Sequence, residues 1–384
     1  MSITNYLTFA GGLGLLLYGI KLMGEGLELA AGSRLKHLLE KMTKNRFLAV
    51  LVGFLITTLI QSSSATTVMV VGFVNTGLMN LTQAIGVIMG ANIGTTTTSV
   101  LVSLNLTGIA PIAIFIGAFM ILFAKKNSLK YVGQALAGFG MLFMGMELMQ
   151  NAMDPLKDSE VFRNWIINAD NPLVGILIGA GVTGVIQSSA ASVGILQALA
   201  SQGLVPLSFA VYIIFGQNIG TCVTALLSTI GTKTNSKRTA VMHILFNVIG
   251  TVVFVVISMF LPFTKWIQAM SDNVMMQISL VHIIFNVVST IIMFPFAGVL
   301  VKLSCILVPD KKGKEDDGMH LQFIDERMLN TPPLAVVQVG KEVLRMAALA
   351  RRNFDIASSD LINKEIKHFD EVNHTEKIIN YLNH

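Results

Sequence analysis

The sequence is short of charge. Only 13% of its 384 residues are Asp, Glu, Lys or Arg, while 53% are hydrophobic, against about 25% charged in an ordinary soluble domain. That balance excludes a soluble globular chain. No charged residue at all occurs from Phe47 to Ala124, or again from Asn171 to Thr232. There are only two cysteines, Cys222 and Cys305, both in apolar segments, which excludes a disulfide framework and a cysteine metal site. No basic region precedes the first apolar run, and Lys21 interrupts it, so this run reads as a retained helix rather than a cleaved leader.

What is there instead is a series of apolar runs, recurring from Leu7 to Ile306, each near the roughly 20 residues that cross a bilayer. The composition predicts an all-α polytopic membrane protein. Inside it the chain repeats itself. Gln61 and Gln187 are 187 − 61 = 126 positions apart, and the same offset aligns Gly14 with Gly140, Gly19 with Gly145, Thr57 with Thr183, and GANIGT (Gly90 to Thr95) with GQNIGT (Gly216 to Thr221). A fixed offset over about 90 residues marks an internal duplication of the kind transporters use.

The stretch from Phe47 to Met79 carries the small, polar run QSSSATT (Gln61 to Thr67) at its middle. As one helix its 33 residues would measure about 50 Å, too long for one crossing of a core about 30 Å thick. Split at the polar run, neither arm is long enough to cross. A re-entrant hairpin fits, with its tip buried in protein because backbone polar groups go unsatisfied in lipid. The expected order is a helix near 7–30, the hairpin, a helix near 81–103 interrupted at NIGTTTT, and a helix near 108–124. The second copy gives 131–153, a hairpin near 172–202, an interrupted helix near 206–230, and 238–261. A last helix is expected near 278–306. Three crossings per repeat is odd, so the second copy enters the membrane inverted, for seven crossings and two hairpins in all. The expected units are residues 1–130, 131–262, 263–309 for the extra helix, and 310–384 for a helical tail.

Loop charge gives the orientation. With the N-terminus outside, the inner loops carry Arg34, Lys36, Lys41, Lys44, Arg46, Lys125, Lys126, Lys130, Lys233, Lys237 and Arg238, and Lys302, Lys311, Lys312 and Lys314 follow the last helix. The outer loops carry Lys157, Arg163 and Lys265. By the positive-inside rule this is an inner (cell) membrane protein with a cytoplasmic C-terminus. The tail holds a solvated linker, DKKGKEDDG, and then an amphipathic helical pattern starting near Asn330 to Pro333.

Because the motif regions are neutral, any ion there is held by hydroxyls, amides, carbonyls and helix ends. A helix starting at a hairpin tip leaves free N–H groups and partial positive charge, which suits an anion. Ser62, Ser63 and Ser64 with Ser188 and Ser189 would donate to an oxyanion between two opposed tips. Broken helices at Asn92 to Thr98 and Asn218 to Thr221 would expose oxygens to a hard cation such as Na⁺, and that cation would neutralise the anion in low dielectric. An isolated serine in a membrane helix usually only packs or bonds back to its own helix; a duplicated run of them asks for more. HILFN (His243 to Asn247) and HIIFN (His282 to Asn286) read as helix-packing hydrogen bonds, and Lys21 with Glu25 as an interfacial pair.

QSSSATT, GANIGTT (Gly90 to Thr96), QSSAAS (Gln187 to Ser192), GQNIGTCVTA (Gly216 to Ala225) and KRTAVMHILFN (Lys237 to Asn247) resemble the bacterial type II sodium-phosphate cotransporters, over about residues 5–306. The tail FIDERMLNTPPLAVVQVGKEVLRMA is similar to the start of a PhoU-like helical domain and stops short of a complete one. The resemblance implies Na⁺-coupled import of inorganic phosphate and no enzymatic activity. It implies phosphate contacts at Gln61, Ser62, Ser63, Ser64, Gln187, Ser188 and Ser189, and sodium contacts at Thr66, Asn92, Thr95, Ser192, Asn218 and Thr221. Ala190 and Ala191 stand where a third serine is common, and the acidic residue of electrogenic members is missing, which points to electroneutral transport. Expected partners are inorganic phosphate, sodium ions and the lipid bilayer, with a homodimer left open and no nucleic acid; no cofactor is expected beyond the co-transported Na⁺. The alternatives are a cation-independent oxyanion channel or sensor, and an intramembrane serine hydrolase using His243 or His282.

Overall fold

A computed structural model describes residues 2–31, 45–156, 171–310, 319–324 and 332–383, which form helices and short connections and contain no strand. Several of the loop charges, among them Arg34, Lys36, Lys41, Lys44, Lys157, Arg163, Lys311, Lys312 and Lys314, lie outside the described residues, as does Asn330 at the expected start of the tail helix.

Helix α1 (Ile3–Ala31) is followed by a hairpin of α2 (Arg46–Ile60) and α3 (Ser63–Asn75), then α4 (Leu81–Ser103) and α5 (Ala110–Phe123). The order recurs as α6 (Asn127–Met153), a hairpin of α7 (Pro172–Ile186) and α8 (Ser189–Ser201), α9 (Leu207–Gly220) with its continuation α10 (Cys222–Leu227), and α11 (Thr234–Phe260). Then come α12 (Phe263–Met270), α13 (Val274–Met293) and α14 (Ala297–Leu307). The tail is α15 (Pro332–Asn363) packed on α16 (Phe369–Asn383), joined by Arg352 to Glu371 at 2.7 Å and by Asn353 donating to the Val372 carbonyl.

Among the described residues, α1, α4, α6, α9 with α10, α11 and α13 are long and apolar enough to cross a membrane. The seventh crossing, expected near 108–124, falls on the shorter stretch Thr107–Phe123. Both hairpins have arms of 15 and 13 residues, about 22 and 20 Å, each short of a hydrocarbon core of about 30 Å. Each incoming arm starts at an asparagine cap, Asn45 accepting from the Phe47 N–H and Asn171 from the Leu173 N–H, again 171 − 45 = 126 positions apart.

The hairpins are held by helix contacts too close for side chains. A Cβ at Gly53 would lie 2.1 Å from the Val87 carbonyl oxygen and one at Gly90 would lie 1.9 Å from that of Val50. In the copy, Gly179 and Gly216 stand in the same relation to Ile213 and Ile176, each at 2.0 Å. So α2 runs parallel against α4, Gly86 meeting Ala49 and Gly94 meeting Thr57, and α7 likewise against α9, with backbone touching backbone, as small residues permit in membranes. Helix α1, by contrast, runs antiparallel to its own copy α6, Gly12 meeting Gly145 and Gly19 meeting Gly138.

Two expectations are corrected. Helix α4 runs unbroken through NIGTTTT. Its threonines donate to carbonyls one turn back, Thr95 to Ala91 at 3.1 Å, Thr96 to Ile93 at 2.7 Å and Thr97 to Gly94 at 2.8 Å, so the polar run is satisfied without a break. In the copy the interruption is a single residue, Thr221, whose N–H still reaches the Gln217 carbonyl at 3.1 Å. The one helix expected over 278–306 is two, parted at Phe294 to Phe296, because Pro295 has no N–H to extend α13 and crowds the turn before it.

Candidate functional site

Each hairpin tip is built the same way. Helix α2 ends at Gln61, which takes a left-handed conformation (φ 57°, ψ 25°) and donates its N–H to the Thr57 carbonyl at 2.7 Å. Ser62 is then extended, and its hydroxyl accepts from the Ala65 N–H at 3.1 Å, capping α3. In the copy Gln187 has φ 57° and ψ 21°, bonds Thr183 at the same 2.7 Å, and Ser188 caps α8 by accepting from the Ala191 N–H at 3.3 Å. Behind each tip a hydroxyl pair ties the two arms together: Thr57 to Thr66 at 2.9 Å, and Thr183 to Ser192 at 2.7 Å.

The two tips meet. Ser64 donates to the Gln187 carbonyl at 3.4 Å, and a cavity of about 60 Å³ between them is lined by Gln61, Ser62, Ser63, Ser64, Thr95, Gln187, Ser188, Ser189 and Ala190. One water needs roughly 10–15 Å³ on this measure, so there is room for several, or for one small anion. The lining carries no charged group. Two helix N-termini, α3 and α8, open onto it, each worth about half a positive charge.

All seven expected phosphate residues therefore line one cavity. They do not all present free donors: the Gln61 amide accepts from Thr98 at 2.6 Å and donates to the Thr58 carbonyl at 2.5 Å, so this side chain clamps the tip to α4. The six expected sodium residues fall into three places. Thr95 lines the cavity. Thr66 and Ser192 are the buried hydroxyls behind the tips. Asn92, Asn218 and Thr221 sit in a separate buried layer. There Asn92 donates to Asn247 at 3.3 Å and its carbonyl oxygen lies 3.2 Å from His243 Nε2; Asn218 accepts from Asn286 at 3.2 Å; Thr221 bonds back to Gln217.

HILFN and HIIFN are thus the partners of the two repeated asparagines, one for each. Asn247 also donates to Cys222 Sγ at 3.2 Å, and that thiol donates to the Asn218 carbonyl at 3.7 Å. A continuous polar chain, Asn92–Asn247–Cys222–Asn218–Asn286, links the two copies through the interior. Sequence reasoning passed over Thr98 and the pairing role of Thr57 and Thr183. The alignment of Thr57 with Thr183 at the repeat offset was the available signal; for Thr98 there was none beyond its place in the threonine run.

A polytopic bundle in which two hairpins bring helix N-termini to one cavity without charged side chains has the build of a secondary transporter of a small anion. The chain belongs to the Na⁺/Pi-cotransporter family, which it matches over residues 15–151 and 158–290; this is a family of phosphate transporters, not of enzymes. It is 28% identical to the uncharacterized protein YqeW of Bacillus subtilis (strain 168) over 300 residues, 77% of this chain and 95% of that one. It is 27% identical to YjbB of Salmonella typhimurium, named as a proposed inorganic phosphate export protein, over 86% of this chain and 61% of that one. Over 64 residues, 17% of this chain and 10% of the other, it is 45% identical to sodium-dependent phosphate transport protein 2A of Ovis aries. No solved structure matches it.

Proposed function

We propose that this protein is a sodium-coupled symporter that imports inorganic phosphate across the inner membrane, with its N-terminus outside and its C-terminus in the cytoplasm. The observation that carries this reading is the uncharged cavity between the two tips, lined by every residue of Gln61 to Ser64 and Gln187 to Ser189. Helix ends and hydroxyls there favour an anion, and no lysine or arginine of the lining balances it. A co-bound cation supplies the balance, since an uncompensated ion in low dielectric is costly. Thr66 and Ser192, each already paired with a second hydroxyl beside its tip, are the sodium ligands best placed for this, with Thr95 on the cavity wall. Asn92, Asn218 and Thr221 support them from the layer behind. The hydrolase alternative loses one of its two candidate bases, because His243 Nε2 is engaged with Asn92 rather than with a motif serine.

Radiolabelled phosphate uptake into proteoliposomes, with inward gradients of Na⁺, K⁺ or H⁺ imposed in turn and the voltage clamped, tests the proposal. Only the Na⁺ gradient is expected to drive accumulation. Downhill flux indifferent to all three gradients would make the protein a channel, and movement only out of the vesicle whatever the gradient would match the direction in YjbB's name. Ser63→Ala and Ser189→Ala are each expected to weaken phosphate affinity about fivefold, the worth of one net hydrogen bond of about 1 kcal/mol. Folded protein is retained, because the capping hydroxyls of Ser62 and Ser188 are untouched. Normal saturation curves for both variants would remove phosphate from the tips.

A further inference from the structure

A second, larger cavity of about 300 Å³ adjoins the first and shares Gln61, Ser62 and Ser188 with it. Its other wall is α1. Helix α1 is drawn against the tip at Gly24, where a Cβ would sit 2.6 Å from the Ile60 carbonyl oxygen. On the same stripe of the helix, at i, i+4 and i+7, stand Lys21, Glu25 and Glu28, the only ionisable residues in the lining. Lys21 and Glu25 pair at 3.7 Å and both are exposed; Glu28 is half-buried. One ammonium against two carboxylates leaves the passage net negative. Its lining follows α1 from Leu17 past the tip contact at Gly24 to Glu28, near the end of that helix.

The opposite face is different. At the repeat offset of 126, Lys21, Glu25 and Glu28 correspond to Glu147 and Asn151 on α6 and Asp154 at its C-terminal cap; α6 runs antiparallel to α1 and so carries these residues toward the other face. There α6 packs on α8, bridged by Gln150 donating to Ser201 at 2.8 Å. Among the described residues, the ionisable side chains that line a cavity shared with the tips stand on α1.

We propose that Glu25 and Glu28, opposed by Lys21, set how tightly phosphate is held from the face at which α1 ends, and from that face only. This rests on the phosphate transport proposed above. The carboxylates repel an anion in the passage and favour its release; the ammonium retards it. A narrow passage between low-dielectric walls focuses such charges, and tenfold changes in local ion concentration lie at the low end of that effect. If the chain is oriented as proposed, this is the cytoplasmic face, and the two carboxylates bias the transporter toward delivery inward.

The test compares right-side-out and inside-out membrane vesicles containing the full chain, measuring the KM for labelled phosphate at saturating Na⁺. Glu25→Gln and Glu28→Gln are each expected to lower the KM at the α1-end face by about threefold to tenfold. Lys21→Gln is expected to raise it by a similar factor, with the KM at the other face unchanged in all three. The shifts shrink at high salt, where the Debye length falls from about 10 Å to about 3 Å. Equal shifts at both faces, or shifts of the same sign for Lys21→Gln and Glu25→Gln, overturn the inference. Should Glu28→Gln not reach the membrane, the two exposed positions of opposite charge still decide the sign. A parent protein that moves no phosphate overturns the proposed function and this inference with it, whereas phosphate flux without any sided shift overturns the inference alone.

Discussion

Gln61→Gly is expected to leave the yield of folded protein near that of the parent and to cut phosphate affinity by about tenfold to a hundredfold. The backbone at Gln61 is left-handed, at φ 57°, a conformation that costs an ordinary residue about 1–2 kcal/mol and glycine almost nothing. Glycine therefore keeps the turn that reverses the hairpin. What it removes is the amide, which accepts from Thr98 and donates to the Thr58 carbonyl. Two net hydrogen bonds at about 0.5–1.5 kcal/mol each correspond to that range of affinity if they hold the tip in its anion-binding geometry. Thr98→Val should move affinity in the same direction, and the pair should be less than additive because both act on one contact. Thermal unfolding in detergent alongside Na⁺-driven uptake separates the two quantities. Unchanged uptake by a folded Gln61→Gly protein would mean that the clamp is incidental.

Gly90→Ala should have the largest effect on folding. The new methyl would sit 1.9 Å from the Val50 carbonyl oxygen and 2.7 Å from the Phe54 nitrogen, and both are backbone, so no rotamer change relieves the contact. Forcing α2 off α4 costs at least about 3 kcal/mol, the upper end of ordinary overpacking, out of a total stability of about 5–15 kcal/mol. Gly216→Ala repeats the experiment in the second copy, against Ile176. Gly14→Ala is the contrast. It is also repeated in sequence, aligned with Gly140, yet nothing lies within 4 Å of its would-be Cβ. It is expected to be neutral or slightly stabilising, since glycine inside a helix costs roughly 0.5–1 kcal/mol relative to alanine. Monodisperse protein by size-exclusion chromatography reads all three. Wild-type yields of Gly90→Ala would show that α2 and α4 can part without loss.

The hairpins were legible in the sequence for an arithmetical reason. A polar run in the middle of 33 apolar residues leaves arms too short to cross, and the same spacing 126 residues on repeats the inference. Five serines, Ser62, Ser63, Ser64, Ser188 and Ser189, followed, because a tip brings consecutive residues together and an inverted copy brings the second tip to the first; Gln61 and Gln187 came only with the family resemblance, and they line the same cavity. The expected break in α4 failed for a reason that sequence pattern hides. A string of threonines reads as a helix breaker when each hydroxyl is imagined competing with the backbone, but here each turns back on its own helix, and the buried face of α4 is filled by α2, α3 and α13. The polar chain behind the tips was illegible as a chain. Asn92 finds its partners 151 and 155 positions away, on α11, and nothing local in GANIGT announces them.

That chain also has a consequence for how the protein is made. The first copy, up to α5, is complete in length long before α11 leaves the ribosome, and at about 5–20 residues per second the 155 positions between Asn92 and Asn247 take about 8–30 seconds to synthesise. Throughout that interval Asn92 lies in the bilayer without the amide and imidazole that later hold it. Asn218 waits in its turn for Asn286 on α13, 68 positions further on. Each half is thus left open by its own sequence and closed by a helix that comes after it, so the nascent chain reaches its final interior only once α13 has been inserted.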